Sequence, residues 1–251
     1  MEDLVARLRA AGCVFAEDEA ALLTEAAASP AELEELVSRR VAGEPLEYVV
    51  GYAEFLGIRV SLDPGVFIPR RRTEFLARSA IRRSVPGDTV IDLCCGAGAI
   101  GAAIAAAVGG IELYATDIDP VATRCAQRNV PGRVYTGDLF EPLPRELMAR
   151  VDVIVVNPPY VPSAEIRLMP AEARDHEPLA TLDGGADGLD VLRRVAIEAP
   201  RWLATGGCLL AETSSRQADR AVAAIADAGL AVRIVTDDEL DATVLLADYT
   251  R

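Results

Sequence analysis

The sequence predicts an α/β protein with a doubly wound, mostly parallel sheet, preceded by a small helical region and a β-hairpin. Three observations predict it. From Pro86 onward, short apolar runs alternate with helical stretches, the pattern of a parallel sheet crossed by helices. A loop bearing two glycines follows the first of those runs. Before residue 50 no run reads as a strand.

The elements follow in order. Leu4, Val5, Leu8 and Ala11 share one helical stripe. Glu17 to Ala28 is alanine-rich, with Leu22 and Leu23 apolar. Ser29-Pro30 reads as N-cap and first residue of a helix to Arg40, with Glu32 in its first turn, and Gly43-Glu44-Pro45 ends it. Residues 1–50 are therefore expected to form a helical domain that selects a partner. Residues 51–84 are expected to supply a hairpin and a linking helix. Phe55 to Leu62 alternates, Asp63-Pro64-Gly65 is a turn signal, and Thr73 to Arg83 is helical.

Residues 85–251 are expected to form the main domain. Thr89 to Leu93, Ile111 to Thr116, Val134-Tyr135 and Val151 to Val156 read as strands. Helices are expected after the first loop as far as Val108, from Pro120 to Asn129, through Val191 to Leu203, and from Gln217 to Ala228. Cys208 to Glu212, Ala231 to Val235 and Thr243 to Ala247 complete the strands.

Ligands of open α/β sheets bind at the carboxyl ends of the strands, so the strand ends carry the functional reading. The first strand runs into Asp92-Leu93-Cys94-Cys95-Gly96-Ala97-Gly98-Ala99-Ile100-Gly101. Gly96 and Gly98 accept positive φ and let a ligand approach the backbone. With Gly101 they also satisfy G-x-G-x-x-G, which a dinucleotide site shares. Asp117 ends the second strand, with Ile118 beside it. A carboxylate there accepts from the hydroxyls of a ribose, as in both NAD and S-adenosylmethionine sites. Asp138, after the third strand, is placed to accept from an adenine amino group, with Leu139 against the ring. Taken singly, Asp117 and Asp138 also read as turn or N-cap carboxylates.

The fourth strand ends in Asn157-Pro158-Pro159-Tyr160. Asn offers an acceptor and a donor on one short side chain. The prolines fix the backbone and remove two N–H donors, and Tyr supplies a flat face. Together they suit a planar group bearing an NH2, an amide or an amino-base. The same tetrapeptide also reads as a strand-ending turn. A nicotinamide enzyme gives no reason for such a grip there, whereas a methyltransferase does.

The bulk numbers bound these readings. A chain of 251 residues, 51% hydrophobic, fits one large domain or an ordinary one with a small one. The net charge of −14 argues against a duplex-binding face and favours a basic partner. Arg70-Arg71-Arg72 and Arg82-Arg83 read as a solvated helix face, with a local basic patch as the alternative. No apolar run has transmembrane length and no secretory segment follows Met1. The five cysteines lack metal spacing and are expected to be reduced thiols of a cytoplasmic protein. Cys94 and Cys95 read as small residues closing a strand. His176 is the only histidine, is expected in a loop, and leaves no multi-histidine metal site. Phe67 reads as hairpin core, with packing against the cofactor as the alternative.

On these residues the chain resembles the HemK/PrmC family of protein-(glutamine-N5) methyltransferases. The likeness includes Gly51-Tyr52-Ala53-Glu54-Phe55 with Gly57, Ile68-Pro69-Arg70 with Thr73-Glu74, the glycine loop, Asp117, Asn129 and Asn157 to Tyr160. It continues through Glu177-Pro178 and Leu182-Asp183-Gly184-Gly185-Ala186-Asp187-Gly188-Leu189-Asp190, its most specific part. The resemblance implies a helical domain joined by a hairpin to a Rossmann-like domain. It implies S-adenosylmethionine as cofactor, S-adenosylhomocysteine as product, and the Gly-Gly-Gln motif of a peptide-chain release factor as methyl acceptor. The cofactor is expected on Cys94, Cys95, Gly96, Ala97, Gly98, Asp117, Ile118, Asp138, Leu139 and Asn157. Asn157, Pro158 and Tyr160 are expected to act in catalysis, with Pro159 beside them on the acceptor.

Departures from the family pattern are plain. Cys94 replaces the first loop glycine and is expected to take ordinary backbone angles and alter the loop. Pro-Arg-Pro-Glu-Thr-Glu reads here Pro69-Arg70-Arg71-Arg72-Thr73-Glu74, and Glu-x-Gly reads Glu212-Thr213-Ser214. Two other readings stand beside the first. An amino-base methyltransferase of nucleic acid shares Asn-Pro-Pro-Tyr and flips its base, although net acidity and the 182–190 segment oppose it. A cofactor-binding module without catalysis is opposed by the intact tetrapeptide.

Overall fold

The computed structural model describes residues 2–250. Helices α1 (Glu2–Ala10), α2 (Ala16–Ala26), α3 (Pro30–Val41) and α4 (Leu46–Val50) pack around an apolar cluster of their own, with Leu8, Leu23 and Val37 at its centre. α3 starts where its caps dictate. Ser29 Oγ accepts from the Glu32 N–H at 3.2 Å, and the Glu32 carboxylate accepts from the Ala28 N–H at 2.7 Å, an arrangement close to a capping box. Gly43 to Pro45 ends α3, but α4 then follows where the sequence reading has no element. Pro45 opens it without wasting an N–H, and Gly51, at φ 80°, closes it.

β1 (Tyr52–Phe55) and β2 (Ile58–Ser61) form the hairpin, with Phe55 opposite Ile58. Its turn falls inside the run read as one alternating stretch. Leu56 and Gly57 take φ of 50° and 78°, the paired positive values of a type I′ turn. α5 (Thr73–Ile81) then leads to the main sheet.

That sheet has seven strands in the order β5-β4-β3-β6-β7-β9-β8. They are β3 (Thr89–Leu93), β4 (Glu112–Asp117), β5 (Arg133–Thr136), β6 (Val151–Val156), β7 (Leu203–Thr213), β8 (Ala231–Asp237) and β9 (Ala242–Asp248). Only the pairings to β9 are antiparallel. Helices α6 (Ala99–Ala107), α7 (Pro120–Asn129), α9 (Asp190–Trp202) and α10 (Ala218–Asp227) cross between strands. The sheet is apolar on both faces. Val90, Val153, Val155 and Leu210 pack toward α5, α6, α7 and the hairpin, while Ile91, Leu93, Ile154 and Leu209 pack toward α9 and α10. Two-sided burial is why these strands read as continuous apolar runs rather than alternating ones.

Between β6 and α9 the chain makes a long excursion over the strand ends. It contains α8 (Ala171–His176), a helix the sequence reading missed, so His176 ends a helix rather than sitting in a loop. Pro170 caps α8 and Glu177 follows in extended conformation. Arg40 ties the excursion to the N-terminal helices, donating to Glu19 and to Glu172 at 2.6 Å each.

Asn129, the last residue of α7, fastens the hairpin to the glycine loop. Its amide nitrogen donates to the carbonyls of Ala97 (2.8 Å) and Ser61 (2.9 Å), and its oxygen accepts from the Ser61 N–H (2.9 Å). No shorter side chain spans those groups. Asn129→Ala is expected to cost about 1–3 kcal/mol, the cost of leaving buried polar groups unpaired. Equilibrium urea unfolding measures it, and an unchanged midpoint would remove Asn129 as the fastener.

Candidate active site

The carboxyl ends of β3, β4, β5 and β6 open into one cavity of about 740 Å³. The loop after β3 forms its floor. Cys94 takes φ 54°, in the left-handed region, as do Gly96 at 55° and Gly98 at 80°. The expectation of ordinary angles at Cys94 is therefore wrong. The Cys95 N–H donates to the Thr116 carbonyl at 3.0 Å and the Gly98 N–H to the Cys95 carbonyl at 2.7 Å. These bonds hold the glycine-like path and impose it on a cysteine, at a cost of about 1–2 kcal/mol. Burial raises the Cys94 thiol far above its ordinary range, with Asp117 adding to the effect.

Cys94, Cys95, Gly96 and Ala97 line the cavity; Gly98 does not. Its place is against α7, where a Cβ would run into Val130. Its role is the turn itself. Asp117 joins the loop to β4, accepting from the Gly96 N–H and the Asp119 N–H at 2.9 Å each. Burial raises its pKa, opposed by those two N–H groups. Ile118 stands at the mouth, 63% exposed. Asp138 lines the cavity and accepts from Arg194 of α9 at 2.6 Å. Leu139 lines it too, with most of its side chain in the core beneath. Phe67 is not hairpin core. Its neighbours Val66 and Ile68 enter the core, while Phe67 turns into the cavity under the Arg70 guanidinium, 5.0 Å from its ring centre.

The far wall is Asn157 to Tyr160. Asn157 donates through Nδ2 to Thr73 Oγ1 at 3.4 Å. Its Oδ1 is buried and has no partner among the described residues. The Tyr160 hydroxyl donates to Glu212 Oε1 at 3.1 Å. Glu212, on β7, is 2% exposed, and burial raises its pKa, against the pull of Thr73, Arg72 and Tyr160. The 182–190 segment packs against this wall, and Leu182 to Gly185 and Asp190 line the cavity as well. Gln217 Nε2 bridges the Tyr160 and Asp187 carbonyls at 2.9 and 2.8 Å. A Cβ on Gly184 would come 2.7 Å from the Pro159 carbonyl oxygen, so a glycine is required where the segment meets the tetrapeptide.

Several residues of this site carry no sequence signal of their own. Arg70 and Arg72 were read as a solvated helix face, yet both line the cavity. Arg70 donates to both oxygens of Glu177 at 2.6 Å, and Glu177 also accepts from the Ile68 N–H at 3.1 Å. Arg82 and Arg83 do stay at the surface, against Phe75 and Asp248. Thr73, Arg194 and Gln217 were missed because each acts through a contact distant in sequence. Glu177 was visible only through the family likeness. His176 lies apart, beside a smaller pocket with Arg39, Glu44 and Tyr48.

The Methyltransferase small domain family matches residues 57–173. A release factor glutamine methyltransferase of Geobacter sulfurreducens is 39% identical over 189 residues, covering 73% of this chain and 66% of the relative. A second, from Mycolicibacterium smegmatis, is 38% identical over 204 residues, covering 79% and 72%. The chain belongs to the release factor glutamine methyltransferase family. Another relative is named for a different acceptor, the 4-amino-L-phenylalanine/4-methylamino-L-phenylalanine methyltransferase of Streptomyces pristinaespiralis, 38% identical over 191 residues, covering 72% and 65%. The chain spans just under two thirds of the length of the Geobacter and S. pristinaespiralis relatives. A methyltransferase of Pyrococcus furiosus shares the fold, with TM-score 0.59, 15% identity and coverage of 78% and 91%.

The cavity suits S-adenosylmethionine, the cofactor that the family likeness implies. Carboxylates stand at the ends of β4 and β5 for hydroxyl and amino donors, Phe67 and Leu139 give apolar wall, and the backbone of Cys95 to Ala97 is open to close approach. Among the described residues no cluster of His, Cys, Asp and Glu is arranged to hold a metal.

Asp92, under the loop, is fully buried. Its Oδ2 accepts from the Gly101 N–H at 2.9 Å and its Oδ1 has no partner. Burial raises its pKa to about 7, opposed by the Gly101 bond. Between about pH 4 and 7 the folded state keeps a proton that the unfolded state releases, so stability falls as pH rises across that window. Asp92→Asn is expected to remove this slope. Its advantage over the wild type should grow from pH 4 to 7 and then level. Thermal unfolding across pH checks it, and parallel curves for the two proteins would refute the assignment.

Proposed function

We propose that this protein transfers a methyl group from S-adenosylmethionine to the side-chain amide nitrogen of a glutamine in another protein, the Gly-Gly-Gln motif of a peptide-chain release factor. The observation that carries the reading is Asn157 Oδ1, a buried acceptor without a partner on the cavity wall. Thr73 engages the amide nitrogen, which leaves the oxygen as the unpaired end of the amide. A buried orphan acceptor is costly, and a donor brought by the acceptor molecule relieves the cost.

An amide nitrogen is a poor nucleophile because its lone pair is delocalised into the carbonyl. Asn157 Oδ1 and the Pro158 carbonyl each accept one of its N–H groups. They orient the lone pair and stabilise the positive charge that grows on nitrogen, with little reorganisation. The cofactor supplies the electrophilic methyl group. Tyr160 gives a flat face to the amide plane, and the Glu212 bond fixes its ring. Pro159 has no N–H to compete. Alignment of the reacting atoms supplies much of the remaining rate. The methylated amide nitrogen is acidic and releases its proton to water. Residues 1–50 serve to select the protein partner, residues 51–84 link them, and residues 85–251 carry the chemistry. The five free cysteines fit a cytoplasmic protein, and among the described residues no helix is long and apolar enough to cross a membrane.

A second reading has support in one observation. Asn157 reads an NH2 group and not the rest of its bearer, and the S. pristinaespiralis relative is named for an aromatic amine. Methyl-labelled cofactor separates the two readings. The protein is incubated with release factors carrying Gly-Gly-Gln or Gly-Gly-Ala, with 4-aminophenylalanine, and with nucleic acid. Label that requires the glutamine supports the first reading; label confined to the amine or the nucleic acid replaces it.

Asn157→Ala is expected to lower turnover about 10²-fold or more, by analogy with loss of one oxyanion-hole donor. Initial rates at saturating cofactor measure it, and a rate near wild type would sink the assignment.

A further inference from the structure

Three arginines line the cavity, and they differ in how far their charge is already spent. Arg70 is doubly bonded to Glu177 at 2.6 Å, and Arg194 meets Asp138 at 2.6 Å. Arg72 is different. Among the described residues its only ion pair runs from Nε to Glu212 Oε1, at 3.5 Å. That oxygen already accepts from the Tyr160 hydroxyl. The Arg72 side chain is 46% exposed and faces the cavity.

Its position matters as much as its charge. Arg72 immediately precedes Thr73, which holds Asn157. Its guanidinium carbon sits 5.8 Å from the centre of the Tyr160 ring. It therefore stands on the acceptor side of the cavity, one residue removed from the group that grips the reacting nitrogen. Asp117 and Asp138 lie at the ends of β4 and β5 instead, on the cofactor side. The sequence also places Arg72 where the family pattern has a glutamate, so the wall carries the opposite charge here.

We propose that Arg72 binds a carboxylate carried by the methyl acceptor. A guanidinium with free donors matches a carboxylate through two parallel hydrogen bonds. Burial and the neighbouring Tyr160 and Glu212 already strip part of the water from the guanidinium, so the further desolvation on binding falls mainly on the carboxylate. The acceptor thus bears two recognised groups: an NH2 on Asn157 and a carboxylate within a side chain's length of it on Arg72. Such a carboxylate belongs either to a free amino acid or to an acidic residue beside the target in a peptide. The proposal rests on the reading of Asn157 as the grip for a reacting NH2 group.

Calorimetry on the full-length protein with saturating S-adenosylhomocysteine tests it without requiring turnover. Three matched pairs serve as probes. They are N-acetylglutamine against its carboxamide, 4-aminophenylalanine against its carboxamide, and a Gly-Gly-Gln peptide flanked by aspartate against one flanked by asparagine. In at least one pair the acid is expected to bind about tenfold tighter or better, the worth of a charge-assisted hydrogen bond. The first two pairs winning marks a free amino acid; the third marks a peptide. Arg72→Ala and Arg72→Gln should erase the preference and Arg72→Lys should keep part of it. Arg71→Ala, in the same turn but outside the cavity, should keep it in full. Equal affinity within every pair, no binding of any probe, or a preference that survives Arg72→Ala would overturn the proposal. Methyl transfer is read separately. A carboxylate preference without methylation of any nitrogen would fell the N-methylation reading and leave the carboxylate site standing.

Discussion

The parallel register of β3 with its two neighbours is the constraint on which the site depends. Leu93 lies opposite Thr116 on one side and Val156 on the other. Cys94, Asp117 and Asn157 therefore leave the sheet at one level, on strands about 4.8 Å apart. The order turns at β3, from β4 and β5 on one side to β6 and β7 on the other. That reversal opens the crevice in which such sheets bind ligands. The register continues into β7, where Ala211 faces Val156, and so brings Glu212 beside the end of β6. A slip of one residue along any of these ladders turns a side chain to the opposite face. The two apolar cores forbid it, because it would exchange every buried residue of the strand for its neighbour.

What the sheet cannot fix, buried carboxylates do. Asp92, Asp117, Glu177 and Glu212 all have pKa values raised by burial. Each holds something the ladder does not reach. Asp92 holds the start of α6, Asp117 the glycine loop, Glu177 the backbone at Ile68, and Glu212 the Tyr160 hydroxyl. Desolvation makes such groups expensive, and removing one partner of a buried ion pair costs about 3–5 kcal/mol. Their return is geometry. Loops that carry ligands are otherwise free to shift, and a rigid set of dipoles is what stabilises charge in a transition state.

The strands and crossover helices were legible because their signals are local. Pro120–Asn129 and Val151–Val156 match their sequence readings residue for residue, since caps, prolines and unbroken apolar runs act within a few positions. The short helix α4 was not legible, because five residues carry too little periodicity to register. Cys94 shows the opposite failure. Its own chemistry predicts ordinary angles, yet the bond from Cys95 to Thr116, across the strand pair, overrules it. Distance along the chain hid the rest. Arg70 and Glu177 are 107 residues apart and Tyr160 and Glu212 are 52 apart, so no window contains both partners. Phe67 and Arg72 were misread for that reason: a local pattern sees an aromatic in a hairpin and a basic run before a helix, while the cavity they face is made elsewhere.

The 182–190 segment bears on which of these features specify chemistry and which specify the acceptor. It lines the cavity beside the tetrapeptide and meets its backbone through Gly184 at the Pro159 carbonyl, while Gln217 bridges the Tyr160 and Asp187 carbonyls. The Gly184 N–H donates to the Val161 carbonyl at 2.9 Å, and the Val161 N–H to the Leu182 carbonyl at 3.0 Å. The segment therefore fixes the backbone path from Pro159 to Val161. On the proposed reading it belongs to the frame around the group that grips the reacting nitrogen. Arg72 stands on the opposite side of that frame and touches it only through Glu212 and the Tyr160 ring. On the proposed reading, a change there alters what else the acceptor must carry without moving the groups that would hold its nitrogen. This division accounts for a chain that keeps the tetrapeptide and its buttress intact while reversing the charge of one cavity residue.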